Sequence, residues 1–189
     1  MNDVEKRVRK QQGKHFTTVE ISPETKAELL FKCDEWSDDL GSLNGSIENG
    51  DGNAAGRFGE LLFTEIFGGE IKDHYEYDVW YNGLEIDVKT KRRTVAPKPH
   101  YEASIADWNP DQNCDLYYFI SLLGSDADSP YSKAWLCGYI PPDVYHDKAT
   151  FYEEGDVDTD NGFVFKADCY NLEYGELRRH EDIEPEVTI

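Results

Sequence analysis

Positive charge is scarce in this chain: 19 Lys and Arg stand against 39 Asp and Glu, a formal net charge of −20 across 189 residues. Such a surface repels polyanions, because nonspecific nucleic-acid affinity rests on Lys and Arg displacing counterions. Any contact with a nucleic acid must therefore be local. Cysteine is sparse as well. Cys33, Cys114, Cys137 and Cys169 form no CxxC pair, which argues against a structural zinc site and a disulfide framework and leaves buried thiols as the default. The five histidines, His15, His74, His100, His146 and His180, show no ligand spacing. No apolar run approaches the ~20 residues of a membrane-spanning helix, and the charged N-terminal segment has no apolar signal core. The expectation is a soluble, cytoplasmic protein. What is present suffices for a core: 39% of residues are hydrophobic and 13% aromatic, in a length suited to one domain.

Nine of the 19 Lys and Arg gather in two places. Lys6, Arg7, Arg9, Lys10 and Lys14 stand against only Asp3 and Glu5 before Phe16, and residues 1–20 read as a basic arm with a first strand at Phe16–Ile21. Lys91, Arg92 and Arg93, followed by Lys98 and His100, form the second group. The two could straddle a phosphate backbone.

The second group closes the most distinctive stretch of the chain, Tyr77 to Thr90 (YDVWYNGLEIDVKT). Asn82-Gly83 is the dipeptide preferred where both central residues of a turn need positive φ, so it folds the Asp78 segment back beside the Asp87 strand. Side chains alternate across a strand: Leu84, Ile86 and Val88 point one way, and Glu85, Asp87 and Lys89 the other. Asp78 can then approach Asp87. A solvated outer sheet face is the plain alternative for this pattern, but the Asp-Val-Lys triplet lies inside an apolar strand. Just upstream, Ala54 to Phe67 (AAGRFGELLFTEIF) sets Phe58, Leu61, Leu62 and Ile66 at helical spacing, with Gly68-Gly69 as a stop. Glu60 borders that apolar stripe beside Gly56 and Gly59, whose small size favours close approach. Glu65 is its competitor on the same helix.

A helical Glu, an Asp at a strand start, then Asp-x-Lys on the next strand is the ordered pattern of the PD-(D/E)XK nuclease superfamily, which this chain resembles over roughly residues 54–140. Tyr77 stands where the motif's name has Pro. The resemblance implies an α/β fold with a restriction-endonuclease-like core, a mixed central β-sheet flanked by helices, with a helix in the segment before the apolar strand Asp115–Ile120. It implies a DNA endonuclease dependent on Mg²⁺, with Mn²⁺ also suited to the oxygen ligands. Asp78 and Asp87 would be direct ligands, the Val88 carbonyl a third oxygen, and Glu60 a ligand through water or to a second metal. Lys89 would stay protonated and orient water or stabilise developing charge. Lys91, Arg92 and Arg93 would contact DNA. A homodimer would suit double-strand cleavage, and restriction or phage enzymes of this class act in the cytoplasm of a prokaryotic or phage-infected cell. Glu85 reads equally as an accessory ligand and as an exposed strand residue.

Elsewhere, Ser22-Pro23 opens a helix running to about Trp36, Asp38–Asn53 is a polar connection, and Glu70–Tyr75 reads as a strand. Glu102–Trp108 has the composition of a short helix, with Trp108 and Gln112 as candidate nucleotide contacts. Leu116–Leu123 and Ala134–Ile140 read as a strand hairpin. Residues 21–180 form a single domain, of which 141–180 look like an extension with a short helix at Val144–Tyr152, an acidic turn at 155–162 and strands at 163–165 and 170–172. Residues 181–189 read as a solvated acidic tail. Two other functions fit the sequence: an acidic nucleic-acid mimic, favoured by the net charge, and a catalytically silent nuclease-like module.

Overall fold

The computed structural model describes residues 8–40, 51–72, 76–107, 113–124, 131–159 and 162–183. Ten strands and three α-helices follow one another as β1 (Val8–Gln12), β2 (Thr17–Ile21), α1 (Pro23–Leu40), α2 (Asp51–Phe67), β3 (Glu70–Ile71), β4 (Val79–Tyr81), β5 (Leu84–Arg93), β6 (Glu102–Ala106), β7 (Leu116–Leu123), β8 (Lys133–Ile140), α3 (Pro142–Lys148), β9 (Thr150–Tyr152) and β10 (Cys169–Glu173). Seven strands make a mixed sheet ordered β1-β2-β8-β7-β5-β4-β3, and β6, β10 and β9 make a small second sheet. The β5–β7 pair is parallel and the other recorded pairs are antiparallel.

The large sheet is covered on both faces. On one, α1 and α2 bury Leu29, Phe58, Leu62 and Phe63 against Ile86, Val88, Tyr118 and Ile120. On the other, Tyr117, Phe119, Trp135 and Cys137 pack with Ala103, Ile105, Tyr145 and Leu172 from the small sheet and α3. Double coverage explains why β7 and β8 read as nearly continuous apolar runs rather than alternating ones.

Local signals set several boundaries. Ser22 Oγ accepts the Thr25 N–H at 3.1 Å, capping α1 where Pro23 supplies the first helical residue. Gly68 and Gly69, at φ +87° and +101°, end α2 where L side chains would be strained.

Five expectations are revised. Glu102–Ala106 is strand β6, not a helix: Ala103 and Ile105 are buried while Ser104 is exposed, a period of two that only β10 pairing could select. The β5-to-β7 connection thus passes through a strand where a helix was expected, although residues 108–112, including Trp108 and Gln112, lie outside the described residues. Part of the basic arm is ordered as edge strand β1, while Lys6 and Arg7 lie outside the described residues. The helix expected to Tyr152 stops at Lys148, and Thr150–Tyr152 pairs with β10. The acidic tail begins inside the fold: His180–Ile183 is a 3-10 turn, Ile183 is buried in the helical-side core, and Glu181 receives a hydrogen bond from Gln12. The strand expected at Glu70–Tyr75 is observed over Glu70–Ile71, and residues 73–75 lie outside the described residues.

Candidate active site

Asn82 and Gly83 adopt φ +49° and +84°, the paired left-handed conformation of a type I′ turn, whose twist matches that of the flanking strands. The turn sets the register Tyr81↔Leu84, Trp80↔Glu85 and Val79↔Ile86. Asp78 lies just before β4, and its N–H donates at 3.0 Å to the carbonyl of Ile86, the residue that also opposes Val79. One step further the ladder changes partner. The Val88 N–H donates at 2.7 Å to Asp78 Oδ2, a carboxylate oxygen standing where a strand would offer a carbonyl. N–H and C=O of a strand residue project to the same edge, so the Val88 carbonyl faces this gap beside Asp78.

Asp87 and Lys89 leave β5 on the face opposite Ile86 and Val88. Asp87 is 2% exposed, and Lys89 Nζ lies 2.6 Å from its Oδ2. The contact joins an ion pair to a charge-assisted hydrogen bond, so the ammonium is what satisfies this buried carboxylate. Tyr117 is Asp87's partner in the parallel register, and the Lys89 ammonium sits 5.6 Å from its ring centroid. Cys114 also borders Asp87, where burial first and the Asp87 charge second push its thiol up to about 12. It is a neutral thiol at physiological pH and not a nucleophile.

Glu60 reaches the same neighbourhood from α2. The helix lies tight on the sheet there: a Cβ on Gly59 would collide with Thr90 Oγ1. The space at Gly56 is open instead, so of the two small residues only Gly59 serves close approach. Glu60, largely buried, pairs with Arg57 at 2.9 Å, and the Arg57 guanidinium stacks 5.1 Å from the Trp36 ring centroid. Glu60, not Glu65, is the helical carboxylate whose charge bears on Asp78.

The electrostatics follow from that inventory. Burial holds the Asp78 carboxyl well above the usual carboxylate range, Asp87 and Glu60 push it further, and Lys89 and the Val88 N–H offset part of the rise. Burial alone would lower Lys89, but Asp87 and Asp78 outweigh it, so the ammonium is held above its ordinary value and stays protonated. Three carboxylates thus share two cations in a poorly solvated place.

Among the described residues no three His, Cys, Asp or Glu side chains converge into a metal cluster. Mg²⁺ does not require one, since it commonly takes one or two carboxylates and keeps several waters. The Asp87 and Asp78 carboxylates and the Val88 carbonyl are hard oxygen donors of the kind that suit Mg²⁺ or Mn²⁺.

The basic residues after the site part company. Lys91 is exposed on the Asp87 face, its Nζ 3.4 Å from Ser104 Oγ. Arg92 is exposed on the opposite face and lies over Gly124. Arg93 turns inward, donating to Ser121 Oγ, Glu102 O and Tyr174 Oη, with the Tyr101 and Tyr174 ring centroids each 5.1 Å from its guanidinium carbon. It ties the small sheet to the large one. Glu85 is half-buried, its backbone N–H fixed by Asp115 Oδ2 at 2.8 Å. His74 lies outside the described residues.

Sequence reading missed Arg57, Cys114 and Tyr117 as neighbours of the site. Arg57 had a signal, its i,i+3 spacing to Glu60; the other two depend on the β5–β7 register. No protein-family model matches the sequence, and no curated protein shows significant similarity to it.

Proposed function

We propose that this protein is a divalent-metal-dependent endonuclease that hydrolyses DNA phosphodiester bonds, built on a restriction-endonuclease-like core. The observation that carries the reading is the Asp78 carboxylate, fixed by the Val88 N–H, close enough to the buried Asp87 for the two charges to repel, with Lys89 held against Asp87. A buried pair of mutually repelling carboxyl groups adds little to stability and is characteristic of functional sites. Asp78, Asp87 and the Val88 carbonyl would hold Mg²⁺ or Mn²⁺, with Glu60 acting through water. The bound ion would supply charge neutralisation at the scissile phosphate and lower the pKa of a coordinated water.

The chain's own residues do the rest. Asp78 and Asp87, fixed by a backbone hydrogen bond and an ion pair, hold their oxygens without reorganising. Lys89, protonated and stacked over Tyr117, directs its ammonium at the phosphoryl oxygens as negative charge develops there. Arg57 restrains Glu60 at the rim, and Lys91 lies next along the strand to meet the phosphate backbone. On this reading a homodimer would cut both strands.

Cleavage assays test it. Linear, supercoiled, single-stranded and branched DNA are incubated at low and high salt with Mg²⁺, Mn²⁺ or EDTA. The expected result is cleavage by wild type only with metal, and loss of at least about a hundredfold in Lys89→Ala, as for removal of a transition-state electrostatic contact, with melting temperatures retained. The acidic-mimic reading, which rests on the net charge of −20, gains if no substrate is cut under any condition. Metal-independent DNA binding without a cut product would instead mark a silent module.

A further inference from the structure

A cleft of about 750 Å³ opens along the same face of β5, two residues beyond Lys89. Lys91 and Arg93 line it from β5, Tyr101 from the segment before β6, and Tyr152, Val157, Phe163 and Phe165 from the C-terminal segment. The apolar wall is built on a stacked pair, Tyr152 and Phe165, with centroids 4.2 Å apart and planes 12° apart. Phe163 stands edge-on to Phe165 and is 52% exposed, and Val157 is 55% exposed. On so acidic a chain, adjacent exposed apolar side chains around a concavity of this size mark a binding site.

The lining chemistry narrows the occupant. Flat aromatic surface suits a planar ring, and Lys91 suits an anion attached to it. Asp158 and Glu173, also in the wall, are acceptors suited to exocyclic amino groups; Glu102 is engaged already by Asn171 Nδ2 at 2.7 Å. Planar ring, amino groups and phosphate together describe a nucleotide. Strand rise places the Lys91 backbone roughly 7 Å beyond that of Lys89, within reach of the nucleotide beside the one under attack.

We infer that this cleft is a nucleotide subsite that stacks an unpaired base of the DNA strand adjacent to the scissile phosphodiester. The inference rests on the nuclease reading and sharpens it, because a base inside an intact duplex cannot reach aromatic walls without leaving the stack. The preferred substrate is then single-stranded DNA, or a duplex that presents unpaired bases.

The test uses the full chain carrying Asp87→Asn, in EDTA, with a single-stranded oligonucleotide containing 2-aminopurine and the same oligonucleotide annealed to its complement. Binding of the single strand should quench the fluorescence and exceed duplex binding. Phe163→Ala should weaken single-strand affinity by about tenfold, the scale of one lost base stack. Val157→Glu, which puts a charge at an exposed position of the wall, should do the same and serves if Phe163→Ala lowers the melting temperature. Unchanged single-strand affinity in the folded variants, or no quenching, overturns the subsite. Wild type with Mg²⁺ on the same oligonucleotide separates the two readings. Quenching without cleavage supports the cleft while refuting the nuclease, and cleavage without quenching overturns the cleft alone.

Discussion

The two faces of strand β5 obey different rules, though they alternate residue by residue. Ile86 and Val88 sink into an apolar layer under α2, where burial of methyl groups is the whole account. Asp87 is buried as deeply on the other face, yet its neighbours are an ammonium, a second carboxylate and a thiol. A fold needs the first face. The second costs desolvation that an apolar residue of similar volume would avoid, and its retention inside a strand is the physical reason for assigning it chemistry.

Breaking the contrast at its centre gives the largest effect. Asp87→Asn keeps the shape and removes the charge, and should lower metal-dependent cleavage by about a thousandfold or more, roughly 4 kcal/mol of transition-state stabilisation. Ile86→Ala, one residue away on the apolar face, should instead cost about 2–4 kcal/mol of unfolding free energy in urea titrations, with per-molecule activity of the folded fraction retained. If Ile86→Ala and Asp87→Asn fall alike in both assays, the two faces are not functionally distinct.

Arg93 sharpens the boundary between the faces. Its guanidinium holds three acceptors between two tyrosine rings, so Arg93→Ala should destabilise by about 2 kcal/mol, the scale of a hydrogen-bonded charged group lost from a packed site. Lys91→Ala should leave stability nearly unchanged and reduce the salt dependence of DNA binding, as loss of one phosphate contact does. Equal effects of the two on binding, with no stability loss for Arg93→Ala, would make Arg93 a DNA contact rather than a structural tie.

The smallest effect lies at His146, which meets Tyr117 Oη at 3.4 Å and packs among the Tyr145 and Tyr170 rings. Burial lowers its pKa below the ordinary 6.5, opposed by Asp107. A base with a depressed folded pKa binds fewer protons folded than unfolded. Its contribution to stability is full above 6.5 and lost as pH falls through the folded value. Melting temperatures of wild type should therefore decline across that acidic window more steeply than those of His146→Gln; parallel curves would remove the imidazole from the account.

Features written in adjacent residues were legible without the structure. Asn82-Gly83 announced the hairpin, Ser22-Pro23 the start of α1, and Gly68-Gly69 the end of α2. Asp78 and Asp87 followed from the turn register alone. Features set by distant pairing were not. Glu102–Ala106 carries small residues compatible with a helix until β10, far along the chain, claims it as a strand. Arg93 looked like one member of a basic run because nothing nearby in sequence shows Tyr174 or Ser121 waiting for it. Ile183 looked like part of an acidic tail because one buried residue among charges carries no periodicity. Glu60 was readable as a border residue, but its tie to Arg57 was not foreseen.

The central claim is that Asp78 and Asp87 hold a divalent cation, and Mn²⁺ titration followed by calorimetry and by electron paramagnetic resonance tests it most directly. Wild type should bind Mn²⁺ in competition with Mg²⁺, and Asp87→Asn, folded to the same melting temperature, should lose that binding. No binding by wild type, or equal binding by both proteins, would contradict the claim.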